Sequence, residues 1–548
     1  MQATIFFNGR IHTCDPQYRT AAAFGVRNGR IVAVGDERSV REAAGPGHQA
    51  IDLKGSTVMP GVIDIHNHHT LGGRAALFEL NISSAWSYDE ILVHIRKAAQ
   101  AAPAGRWVFG GGFDSGLADR LNTSQARADL DAVSAGKPVV LRDDSAHNRW
   151  CNSAALAAAG ITASTKDPAN GRIGRDAQSG APTGFLLESA GVLVDEALED
   201  AMFSDASVLG QVVVKGVEIL NSLGVTAFQD ALSYLAMIQA LSELDRAGKL
   251  TAWVTPSLMA TGGFYTPGPI GAPLFAEKEK YRTEHVRPNF AKVLLDGVPM
   301  TRTAAMLEPY REDSVFGCCY RGGTTMTLPQ LARLLADCER VGLAVKIHCA
   351  GDGASRQALD AIEVVRNFNG PTTLRHQIAH ALIIDLADVP RMAALNVTAD
   401  LSPMLWCPSI LERALRGSVP DKRIDIMAPI ADMLKAGVLI AGGSDWPVAP
   451  SPDPWLAMEG MVTRRDPLGQ FPGALGPEQA ISVDETMFAF TRGGAIALGL
   501  DDKIGSLETG KVADFIVIDQ DIKTCAPDRI ADTKVLSTWF GGNKVYER

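Results

Sequence analysis

The chain has 548 residues, 46% of them hydrophobic and 21% charged, which is the balance of a globular protein large enough for one catalytic domain and one or two smaller ones. Its formal net charge of −10 argues against nucleic acid as a partner, because a phosphate-binding surface carries the opposite sign. No apolar run is long enough to span a bilayer, so a membrane is not expected as a partner either.

The N-terminal stretch Met1–Phe7 lacks the basic region and apolar core of a secretory signal. It reads as a strand that starts at once. Ile5–Asn8, Ala23–Val26 and Ile31–Val34 are short apolar strands, with Asn8-Gly9 and Asn28-Gly29 as turn signals. Ala513–Asp519 and Val535–Phe540 form a matching set near the C-terminus, with Gly541-Gly542-Asn543 as a last turn. Neither end is long enough to hold a core alone, so the two are expected to pair into one small β-sandwich, residues 1–57 with 500–548. Eight scattered cysteines, close together only at Cys318-Cys319, suit a reducing cytoplasm better than a disulfide scaffold.

Between the ends, strands alternate with helices. The apolar, β-branched segments are Val58–Ile65, Val225–Gln229, Ala252–Leu258, Phe290–Asp296, Leu343–His348, Leu374–His380, Asn396–Asp400 and Val438–Gly443. Most are separated by helical stretches such as Leu328–Val341 and Gly353–Asn367. That is the count of an α/β fold of the (β/α)₈ TIM-barrel type, assigned to 58–71 and 206–499. About 160 residues separate the first two strands, far more than the roughly 2–6 of an ordinary connection, so an α/β domain inserted at 72–205 is expected to cover the barrel mouth.

Histidines are sparse and unevenly placed. His66 and His68 close the first strand; residues i and i+2 of a strand face the same way, so two imidazoles can meet one metal. Isolated His-x-His pairs are about as often plain loop residues, and His69 falls on the opposite face. His348 ends the fifth strand, His380 the sixth, and Asp445 follows the eighth. Each would be unremarkable alone, but these are the strand ends at which barrel active sites form. Lys292 lies within the fourth strand, where an unpaired ammonium costs several kcal/mol. Neighbouring metals offer a remedy, since they stabilise the carbamate that a neutral lysine forms with CO₂.

At these residues the chain resembles the amidohydrolase superfamily and, within it, the family 3 branch that includes N-substituted formamide deformylases. The segments that carry the resemblance are Pro60-Gly61-Val62-Ile63-Asp64-Ile65-His66-Asn67-His68, Ile347-His348-Cys349-Ala350-Gly351-Asp352, Arg375-His376-Gln377-Ile378-Ala379-His380-Ala381 and Gly443-Ser444-Asp445-Trp446-Pro447-Val448. Ile504–Asp514 resembles the family's return into the small β-domain. His147 with Asn152-Ser153-Ala154-Ala155-Leu156 and Gly160-Ile161, and Pro182–Glu188, resemble elements of the branch.

The resemblance makes His380 rather than His376 a ligand and supports a carboxylated Lys292 as a bridge. It implies one or two divalent ions, with zinc favoured and Mn, Co or Fe also fitting. In the two-ion version His66, His68 and Asp445 hold one and His348 and His380 the other. A metal-bound hydroxide then attacks an amide carbonyl of a small-molecule substrate such as an N-formyl or N-acyl amine, with Asp445 as general base and then general acid. Hydrolysis of an ester, lactone, carbamate or cyclic amide is the alternative on the same machinery; a lyase or isomerase, or a non-catalytic regulator, ranks lower. Phe113, Trp150, Trp406 and Trp446 are candidate pocket walls, although core packing is the commoner role of such aromatics. His147 and Arg302 are candidate substrate contacts, weighed against a structural hydrogen bond and a salt bridge. Many relatives are dimers or larger, so the resemblance admits a homodimer, though nothing in the residues demands one.

Overall fold

Eight short strands lie side by side in chain order, all parallel: β1 (Val62–Asn67), β2 (Val225–Ser233), β3 (Trp253–Met259), β4 (Phe290–Leu294), β5 (Ala344–His348), β6 (Gln377–Ala379), β7 (Thr398–Leu401) and β8 (Leu439–Gly442). Nearly every residue in them is buried, as expected for a parallel sheet whose faces are both covered. No regular ladder joins β8 to β1. The nearly closed barrel is completed at its C-terminal rim, where Asp445 N donates to His66 O and His68 N to Trp446 O, both at 2.7 Å. The computed structural model describes residues 2–143, 148–168, 171–203, 205–262 and 268–548.

The apolar run Val58–Ile65 is two strands, not one. Thr57–Pro60 pairs antiparallel with Phe515–Ile518 in a second sheet, and the chain enters the barrel only at Val62. Gly61 permits the switch, because a Cβ there would meet Thr226 Oγ1 at 2.0 Å. The second sheet has eight strands drawn from both ends of the chain, with Phe6, Phe24, Phe515 and Trp539 packed at its centre. Asn28-Gly29 turns a hairpin with both residues at positive φ. Asn8-Gly9 does not turn: it sits inside the strand Thr4–His12, where the register with its partner shifts between Phe7 and Ile11. Asn8, at φ 56°, is therefore a bulge residue.

Contacts divide the chain into two units, residues 1–69 with 217–548 and residues 70–216. The second unit has its own six-stranded sheet with an apolar cluster around Phe113 and Trp150 and another around Phe109 and Leu186. Its Asn152 caps the helix Ser153–Ala158: Oδ1 accepts from Ala155 N and Val139 N, and Nδ2 donates to Lys137 O. The Asn-Ser-x-Ala-Leu element is thus a helix start tied to a strand. Among the described residues no helix is long and apolar enough to cross a membrane, and all eight cysteines are free thiols.

Asp514 ties the terminal sheet to the barrel, accepting from Trp253 Nε1 at 2.9 Å and from Gly541 N at 2.7 Å. Burial pushes its carboxyl up from 3.8 to about 6. A carboxyl raised on folding contributes stability that is present below the unfolded value and lost as the pH climbs through the folded one. The free energy of unfolding of the wild type in urea, compared with Asp514→Asn, should therefore fall between about pH 4 and 6, by up to about 3 kcal/mol, and run parallel above pH 7. Parallel curves throughout would show that Asp514 does not titrate there.

Candidate metal centre

His66 ends β1 with its amide bonded to Asp64 Oδ1 at 3.0 Å. The same carboxylate accepts from Ser444 N at 3.0 Å and Ser444 Oγ at 2.7 Å, so it stitches β1 to the loop after β8. Gly443 lies flat against His66, where a Cβ would come within 2.6 Å of the His66 Cβ. Asp445, at φ 55°, turns its carboxylate toward the two histidines. Oδ1 lies 3.5 Å from His66 Nε2 and 3.3 Å from His68 Nε2, and one ligand atom from each residue falls within 4.8 Å of the others. This group could hold a metal ion.

The two later histidines reach the same place. The His380 ring lies 4.6 Å from that of His66 and 4.9 Å from that of His348. His380 and Ala381 both have positive φ, a bend that follows directly on β6. His376 is not part of the cluster: its Nδ1 accepts from Val345 N and its Nε2 meets Glu339. Lys292 is buried in β4, directly across from Lys346 in β5.

Hydrogen bonding leaves one nitrogen of each key ring uncommitted. His66 Nδ1 meets Asp400 Oδ2 at 2.6 Å, while its Nε2 is buried with no hydrogen-bond partner. His348 Nδ1 meets Asp296 Oδ1 at 3.0 Å. A buried lone pair without a partner costs about 1–3 kcal/mol, and a cation is the partner that a cluster of imidazoles and a carboxylate supplies sites for. Burial, reinforced by Lys346 and Lys292, holds His66 well below the usual histidine value; burial does the same for His380. Both are neutral, as ligation requires. Burial works to raise Asp445, but His380, His68 and Lys292 outweigh it and hold its carboxyl below the ordinary range. Burial, with Lys346 adding to it, brings Lys292 down to about 8.

A family model described as Amidohydrolase family matches residues 49–546. The chain belongs to the amidohydrolase family. It is 30% identical over its whole length to the N-substituted formamide deformylase of Arthrobacter pascens, with 99% of that protein covered. It is 27% identical to the putative amidohydrolase YtcJ of Bacillus subtilis, with 99% of each chain covered. It shares its fold with an uncharacterised metal-dependent hydrolase from Pyrococcus horikoshii (TM-score 0.78, 23% identity, 96% of this chain and 99% of that one). A counterpart from Pyrococcus furiosus is similar (TM-score 0.76, 24% identity, 95% and 100% covered). The protein is accordingly an amidohydrolase, and the His66–His68–Asp445 group stands where such a barrel keeps its chemistry.

The other residues singled out from sequence fare differently in this amidohydrolase. Phe113 and Trp150 are fully buried, 6.4 Å apart ring to ring, inside the core of the 70–216 unit, so they offer no surface to a ligand. Trp406 is also fully buried, under the Arg464 guanidinium at 4.1 Å. Arg302 is paired with Asp313 at 3.0 Å. Core packing and a salt bridge therefore describe these four better than substrate contact does. Trp446 is next to Asp445 and mostly buried, with its carbonyl holding His68 N. His147 lies outside the described residues.

Sequence reasoning passed over Asp400, Lys346 and Asp296. Lys346 carried the same signal as Lys292, a lysine in an apolar strand, two residues before a histidine already singled out. Nothing marked Asp400 or Asp296, because their partners are distant in sequence. Asp296 accepts from His348 Nδ1, Ala350 N, Gly351 N and Ala305 N, all between 3.0 and 3.1 Å. Asp296→Ala would orphan those donors. It should lower the free energy of unfolding by about 3–5 kcal/mol in a urea titration, and a loss below about 1 kcal/mol would show that the loop rearranges to satisfy them.

Proposed function

We propose that this amidohydrolase hydrolyses the carbon–nitrogen bond of a small N-formyl or N-acyl amine. The observation that carries the reading is the buried Nε2 of His66, which has no hydrogen-bond partner and faces Asp445 beside His68. The full-length likeness to a formamide deformylase supports the choice of bond. In the proposal His66, His68 and Asp445 hold one divalent cation, zinc being the best match to the donor set, and His348 and His380 hold a second.

Lys292, as its carbamate, would supply a further anionic donor to these cations. Two ammonium groups on facing positions of neighbouring strands repel, and Lys346 already occupies the nearby carboxylate, Asp400, as an ion pair. Among the described residues no carboxylate lies within ion-pair distance of Lys292, and burial brings it down to about 8, so its amine is neutral, and open to CO₂, more often than that of an ordinary lysine. Carbamate formation from the ammonium releases two protons, one to free the amine and one as its nitrogen bonds to CO₂, and turns a costly buried cation into an anion.

When bound, the cations polarise the substrate carbonyl and lower the pKa of water from 15.7 to about 7. Asp445 accepts the proton that the attacking water loses and delivers it to the departing nitrogen. Asp296 fixes the ring of His348 and Asp400 fixes that of His66, so each presents Nε2 without reorganisation.

Elemental analysis should find divalent metal in the purified protein. Chelation should abolish hydrolysis of formamides and acetamides, and added metal should restore it; full activity in metal-free protein would sink the proposal. Asp445→Asn should lower kcat by about 10²–10⁴-fold. A near-wild-type rate in that variant would remove Asp445 from the proton transfer.

A further inference from the structure

Lys346 is fully enclosed in the barrel interior, and an ammonium there demands a reason. Its Nζ pairs with Asp400 Oδ2, the same oxygen that meets His66 Nδ1 at 2.6 Å. Asp400 itself is fully buried, in β7, so the three residues come from three strands, β5, β7 and β1. The chain of contacts runs from ammonium to carboxylate to imidazole and ends at the one ring nitrogen of His66 that has no hydrogen-bond partner.

We infer that Lys346 is a positioning residue, whose ion pair holds Asp400 in place against His66 Nδ1 and so fixes the orientation and tautomer of His66 that leave Nε2 free for a cation. This rests on the proposed function for the identity of the ligand at Nε2. A neutral imidazole has one protonated and one bare nitrogen, and which is which follows from the bond the other makes. A carboxylate on Nδ1 keeps the proton there and makes Nε2 the more basic donor. Lys346 keeps that carboxylate oxygen on the ring by pairing with it from inside the barrel. The two interior lysines then have separate tasks, Lys292 as a metal ligand and Lys346 as the ion-pair partner that holds Asp400 beneath the cluster.

The test compares Lys346→Met, Asp400→Asn and the double variant, in which both charges are removed together and no unpaired ion is left buried. Metal-stripped proteins are titrated with Zn²⁺ in competition with a chromophoric chelator. The inference expects each variant, the double included, to bind zinc about 10–100-fold more weakly than the wild type. If Lys346 and Asp400 merely neutralise each other, the double variant should bind as tightly as the wild type, and that result would overturn the inference alone. Failure of the wild type to bind any divalent metal would overturn the proposed function as well. A second measurement needs no substitution at the pair. In metal-free wild type carrying ¹⁵N-histidine, with the His66 signals assigned by their loss in His66→Gln, Nδ1 should be protonated and Nε2 bare. The opposite tautomer would contradict the assignment.

Discussion

The seam between the first and last barrel strands is the constraint on which the rest of the site depends. β1 and β8 share no ladder, yet Asp64 reaches from one to accept two hydrogen bonds from Ser444 on the other, and Asp445 N donates to His66 O. The bonds that finish the barrel are therefore the bonds that set Asp445 against His66 and His68. Gly443 makes the close approach possible, since any side chain there would strike His66. Closure and site assembly are one event in this fold, and a loosened rim would disperse the donor set.

Charge is the second organising principle. The barrel interior holds two lysines beside a ring of carboxylates and imidazoles, an arrangement that would be costly if any member were left uncompensated. The carboxylates that do not face the histidine cluster with a free oxygen are held by backbone amides, by lysine or by the far nitrogen of a histidine. Asp296 shows the pattern: it binds the loop after β5 through two amides, the loop after β4 through a third and the His348 ring through a fourth bond. Such contacts let the rings stay neutral and fixed in place, so little rearrangement is needed when a cation arrives.

Much of the barrel was legible in the chain because parallel strands covered on both faces read as apolar runs, and each has to end at the rim. His66, His68, His348, His380 and Asp445 stood out because they end such runs together on one rim, although any one of them alone would be an ordinary loop or core residue. Pattern misled where an apolar run crossed from one sheet to another at Gly61, and where Asn8-Gly9 imitated a turn while making a bulge. Aromatic residues misled too, because apolarity marks burial without saying in which core, and Phe113, Trp150 and Trp406 fill cores of their own.

What the sequence determined by itself was the set of strands, their order and the residues at their ends, since these depend on local periodicity and on the physical cost of a polar group in an apolar segment. Only the tertiary structure decided which polar groups meet. Asp400 is 334 residues from His66 and Asp296 is 52 from His348, distances along the chain at which no local pattern survives. The same holds for the two lysines. Each is an apolar-strand lysine in sequence, and what separates them is that Lys346 meets a carboxylate at ion-pair distance, whereas among the described residues none lies that close to Lys292, a difference set by contacts between strands.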